Sequence, residues 1–200
     1  MGKTKLEPLR DVVQTRRPNR WRLLAPLRYL AISAYDKRKY DLVFPLCGGV
    51  GLWLGYNCLS PQPALLGANS ILASVQTFLV LAVPFLIGAL ASVAMGSPGD
   101  RIDKRVYGTG VVLDGRTLSL RQFVCYLLGY LSFLGLTAFV LITIASFVAP
   151  SLIRMLTEAT YLSIIFKQIF AATMFILFSA FTTTVFWALY FLTDVVNRTD

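Results

Sequence analysis

Two hundred residues with 56% hydrophobic and only 14% charged side chains do not describe an ordinary soluble domain, for which about 45–50% and about 25% are typical. The chain is basic, with 19 Lys and Arg against 10 Asp and Glu, a net charge of +9. It has no histidine, so the commonest neutral-pH general base and metal ligand is missing, and most hydrolytic, haem and zinc chemistries are set aside. Its three cysteines, Cys47, Cys58 and Cys125, lie in or beside apolar runs. Their number and spacing fit neither a disulfide framework nor a metal or redox motif, and they read as small hydrophobes.

Residues 1–41 form a basic segment with 11 basic and 4 acidic residues. It has no apolar core near its start, so no cleavable signal peptide is predicted. Residues 1–18, with Pro8 and Pro18, read as an irregular tail. From Asn19, apolar Trp21, Leu24, Leu27 and Leu30 alternate with Arg20, Arg22 and Arg28. That pattern predicts an amphipathic helix in the headgroup layer, with Trp and Tyr as interfacial anchors. Two roles are compatible with the charge: a collar that fixes topology, or an arm that binds a partner or anionic lipid. The candidate partner-binding residues here are Arg16, Arg17, Arg20, Arg22, Lys37, Arg38 and Lys39.

Four apolar runs follow, at about 42–59, 71–95, 123–148 and 161–193. Some 20 apolar residues cross a hydrocarbon layer of roughly 30 Å, so each is predicted to span a membrane. The first run is short and holds Gly48, Gly49 and the pattern Gly51-Leu-Trp-Leu-Gly55, which lets another helix approach closely. Gly48, Gly51, Gly55 and Gly88 are the candidate helix-packing residues, for contacts within the chain or between copies. Residues 60–70 predict a turn between antiparallel helices, and Pro84 a kink in the second run. Ala149-Pro150 marks the expected end of the third run. Lys167 and Gln168 are the candidate intramembrane polar residues: a lysine there is either functional or reaches back to the interface.

The loop 96–122 carries five basic and three acidic residues. Asp114-Gly115 between short apolar stretches predicts a small β-hairpin. Arg101, Lys104, Arg105, Asp114 and Arg116 are its candidate partner-binding residues; a plain connector is the competing reading. Ser119 and Gln122 form a capping-box pattern before the third run. The fold class expected is therefore an all-α membrane protein. It has four transmembrane helices in two antiparallel hairpins, an N-terminal amphipathic helix and a cytosolic β-hairpin. Basic segments mark the cytoplasmic side, which puts both termini, including residues 197–200, and the 96–122 loop there.

No P-loop, nucleophile elbow or metalloprotease motif is present. The sequence predicts no enzyme, no metal and no cofactor, and the membrane setting argues against direct nucleic-acid binding. It predicts a membrane anchor and sensor that associates with itself, with lipids and with a cytosolic protein. A pore-forming or permeabilising effector is the alternative, and a lipid-modifying enzyme the weakest reading. In layout, through the basic tail to Lys39, the two uncharged hairpins and the loop Gly96 to Gln122, the chain resembles the small four-helix membrane subunits of bacterial phage-defence systems, such as the membrane component of Kiwa. The resemblance covers the whole chain, rests on architecture alone and transfers no functional residue. It implies a homo-oligomer of the bacterial inner membrane that senses membrane disturbance and works with a cytosolic partner, often one acting on nucleic acid.

Overall fold

The computed structural model describes residues 22–32, 39–67, 69–96, 112–113, 116–155 and 160–195. Among them, four α-helices carry the fold: α1 Phe44–Cys58, α2 Ile71–Met95, α3 Leu120–Met155 and α4 Thr160–Tyr190. A 3-10 helix, Arg22–Ala31, forms an N-terminal arm, and π-helical turns Lys39–Val43 and Phe191–Val195 precede α1 and follow α4.

Among the described residues, three segments are long and apolar enough to cross a membrane: Ile71–Met95, Leu120–Ser151 and Tyr161–Thr193. The outward faces support that reading. Leu81, Phe85 and Phe147 are 73%, 76% and 79% exposed, an arrangement suited to lipid tails and costly in water. By length and composition, the chain is a membrane protein.

The expectation of four spans is corrected to three. Helix α1 has 15 residues, about 22 Å at 1.5 Å per residue, short of a hydrocarbon layer of roughly 30 Å. Its start is limited by the π turn holding Lys39 and Asp41, and its end by Leu59, whose backbone is extended. The β-hairpin is corrected as well. All that forms is a two-residue ladder, Val112↔Thr117 and Leu113↔Arg116, too little to stand as a layer beside the helices. The all-α class holds.

The pairing also differs from two sequential hairpins. Helix α2 lies antiparallel to α3, but α1 packs along α4, and α3 along α4. Glycine decides the α1 contact. A Cβ on Gly49 would lie 2.5 Å from the Ile176 Cα, and one on Gly48 2.5 Å from the Ser179 Oγ. Gly51, Gly55 and Gly88, by contrast, have nothing within 4 Å of a Cβ position. Gly135 sits where three helices cross, its Cβ position 2.8 Å from Val83 and 3.2 Å from Phe181.

Helix ends follow local chemistry. The Ser70 hydroxyl accepts from the Ala73 N–H at 3.1 Å, capping α2. The capping box at α3 forms in both directions: the Gln122 N–H donates to the Ser119 Oγ, and the Ser119 N–H to the Gln122 Oε1. Helix α2 runs unbroken through Pro84, and α3 continues past Pro150 to Met155. Pro150 thus does not end the helix. It lies 30 residues beyond Leu120, roughly 45 Å along the axis, where water or headgroups can serve the carbonyl that proline leaves unpaired.

Gly49→Leu is expected to force α1 off α4 and to cost about 1–3 kcal/mol of stability, as overpacked cores do. Gly88→Leu, on an open face, is expected to stay within about 0.5 kcal/mol of the wild type. Thermal unfolding in mild detergent measures both.

Candidate functional site

The helix order brings the start of α1, the end of α2, the start of α3 and the end of α4 to one end of the bundle. The contacts of Gly49 with Ile176, Arg121 with Val93 and Phe123 with Phe191 require it. The sequence segments attached there, 1–41 and 96–122, are the two basic ones. Of the candidate partner-binding residues, Arg16, Arg17, Arg20, Lys37, Arg38, Arg101, Lys104, Arg105 and Asp114 lie outside the described residues. Arg22 starts the arm and Arg116 lies in the short ladder, by backbone alone. Lys39 is exposed in the π turn before α1.

The arm is fixed at this end by Tyr29. Its side chain is 0% exposed, so it is a core residue and not the interfacial anchor the pattern suggests. Its ring stacks on Tyr130 at 4.8 Å and approaches Phe123 at 6.3 Å and Trp187 at 6.5 Å. Phe123, Trp187 and Phe191 pack on one another at 4.6–5.5 Å. The cluster therefore joins the arm, α3, α4 and the π turn beyond α4. The Tyr29 hydroxyl donates to the Asp41 Oδ1 at 3.4 Å, longer than an ordinary hydroxyl hydrogen bond. The rings, at about 0.5–1.5 kcal/mol per pair beyond burial, hold Tyr29 more than that bond does. Burial pushes the Tyr29 phenol well above its ordinary value, and the nearby Asp41 carboxylate adds to the shift.

Beside the arm, Arg121 ties two helices together. Its Nε donates to the Val93 carbonyl at 2.9 Å, and its Nη2 to those of Ala94 and Gly96, each at 2.6 Å. A cation on the last carbonyls of α2 is well placed, since those groups lack intrahelical partners and carry the negative end of the helix dipole. A pocket of about 450 Å³ opens here between Pro26 of the arm, Ala94 of α2 and Arg121, Cys125 and Tyr126 of α3.

The second polar feature lies between α1 and α4. The Trp53 indole N–H donates to the Gln168 Oε1 at 2.9 Å, and the Gln168 Nε2 to the Asn57 Oδ1 at 2.9 Å. The Asn57 amide in turn donates to the Trp53 carbonyl at 2.8 Å. Gln168, flagged from sequence, thus belongs to a polar joint between α1 and α4, while its neighbour Lys167 is exposed. Sequence reasoning missed Tyr29, Asp41, Arg121, Trp53 and Asn57. Signals existed for some of them. Trp53 and Asn57 are spaced four apart on one face, and Arg121 opens a capped helix.

Tyr29→Ala is expected to release the arm and cost about 3–5 kcal/mol, while Tyr29→Phe costs about 1 kcal/mol or less. Arm release is read as new protease cleavage between residues 22 and 39. Because docked Tyr29 keeps its proton, docking is fully stable below the ordinary phenol value of about 10 and is lost progressively above it. Tyr29→Phe removes that alkaline loss, which cleavage measured across pH 9 to about 11 detects. Comparison with protein-family models, with curated proteins and with solved structures gives no significant match.

Proposed function

We propose that the protein is a non-enzymatic, self-associating membrane anchor and sensor whose basic end recruits or regulates a cytosolic protein. The observation that carries this reading is the burial of Tyr29 among rings of α3 and α4. It couples the basic arm to the packing of two membrane-crossing helices. A partner that binds the docked arm stabilises docking, and a disturbance that alters α3–α4 packing changes the partner's affinity by the same linkage.

The orientation follows from charge: the end bearing Arg28, Lys39 and Arg121 faces the cytoplasm, in a bacterial inner membrane. Arg121 draws the ends of the basic 96–122 loop together beside the arm, so both basic segments serve one surface. The layout shared with phage-defence membrane subunits extends the proposal to that setting, with the partner a defence protein. The polar groups between the helices favour this over a pore. Trp53, Asn57 and Gln168 are bonded to one another, and Gln76 donates to Thr143 at 3.1 Å.

The test is gentle extraction of the tagged protein from its own cells, followed by native mass spectrometry and identification of bound chains. A soluble protein is expected to co-purify with an oligomer of the wild type. Its recovery should fall at least about fivefold in Arg20→Glu/Arg22→Glu and in Tyr29→Ala, all of which still insert, and should weaken as salt rises. Recovery of the oligomer alone under every condition refutes the recruiting role. Loss of phage resistance in the same variants tests the defence setting separately.

A further inference from the structure

Among the described residues, α1 packs along α4 and α2 along α3, with no packing of that extent between α1 and α2. These two helices form the lips of a cleft of about 400 Å³, with α3 and α4 as its back wall. That volume lies in the range of small-ligand sites. Gly51 and Gly55 line one side, Val75 the other, and Ile142 and Phe178 lie behind. Both glycines have open space where a side chain would stand. Leu52 and Leu59, on the α1 lip, keep 46% and 54% of their surface exposed, so the mouth opens sideways.

The wall chemistry selects the occupant. Among the described residues no charged side chain lines the cleft, and its one hydroxyl, on Tyr56, already donates to the Pro63 carbonyl at 3.2 Å. A polar headgroup would find no partner inside and would lose its hydration. Size favours an occupant narrower than a helix of a second copy. One helical turn, about 10 Å wide and about 5.4 Å long, would by itself occupy roughly 400 Å³. A single methylene chain is narrow, flexible and apolar, and three of the four helices around the cleft, α2, α3 and α4, are the membrane-crossing ones.

We propose that this cleft takes one acyl chain of a bilayer phospholipid, entering sideways between α1 and α2. The site stands independently of the recruiting role, since it lies along the helices and involves neither the arm nor the 96–122 loop.

The experiment uses the full chain in vesicles of phosphatidylethanolamine and phosphatidylglycerol. They are doped with a phosphatidylcholine that carries a photoreactive diazirine on one acyl chain. After illumination, adducts at Val75 and Phe178 are compared with adducts at Phe85, which faces outward and reports the surrounding lipid. The wild type is expected to give adducts at all three. Gly55→Leu, whose Cβ would stand in open space and whose side chain would extend into the cleft, is expected to lower the ratio of cleft to outward labelling about tenfold. Gly88→Leu, on the open face of α2, should leave it unchanged. An unchanged ratio in Gly55→Leu overturns the proposal. So does an absence of label at Val75 and Phe178 in the wild type, as a second protein chain covering the face would give. That wild-type measurement decides the matter even if the leucine variant fails to insert.

Discussion

Hydrocarbon offers no hydrogen bonds, so a chain that crosses it must satisfy its polar groups from within. The buried side chains here do so. No buried side-chain nitrogen or oxygen lacks a partner among the described residues. Most of the hydroxyls bond one turn back along their own helix. Ser132 donates to the Leu128 carbonyl, Ser146 to that of Ile142 and Thr184 to that of Ala180, at 2.8–2.9 Å. These bonds make serine and threonine nearly apolar towards their surroundings. The groups that cannot close on themselves are the amides, and they become the links between helices: Gln76 with Thr143, and Gln168 with Trp53 and Asn57.

From that constraint the division of labour follows. The middle of the molecule is held by small residues and amides, and the basic end by rings and an arginine. Gly49 and Gly135 set how closely α1 meets α4 and how α3 crosses α2 and α4. Tyr29, Phe123, Trp187 and Phe191 then pack together at the basic end. The arm is continuous in packing with the membrane helices, which is why a charge-bearing segment can respond to what happens between them.

Much of the fold was legible in the sequence because length and apolarity are local properties. Ile71–Met95 is a helix with the boundaries read from its uncharged run, and Ser119 and Gln122 cap α3 as their spacing implies. What could not be read was the choice of neighbours. An apolar helix has no distinct face in lipid, so the pattern Gly51 to Gly55 looked like the packing surface. The contact in fact uses Gly48, one of the candidates, together with Gly49. Counting residues 42–59 as a span failed for a related reason: hydropathy does not register where an extended backbone or a π turn takes over. Tyr29 was misread because an amphipathic pattern reports that one side is apolar, not whether lipid or protein covers it. The long-range partners of Arg121 and Gln168 depend on that same unreadable packing.

The arginine that joins Val93, Ala94 and Gly96 to the first turn of α3 has a consequence for how the chain can change. It fixes both ends of the intervening segment independently of what lies between them. Loop closure costs only about 0.6 kcal/mol for each doubling of length once its ends are held. The segment can therefore be lengthened, shortened or rewritten with little effect on the helices. Of the chain's segments it is the one whose length the helices constrain least.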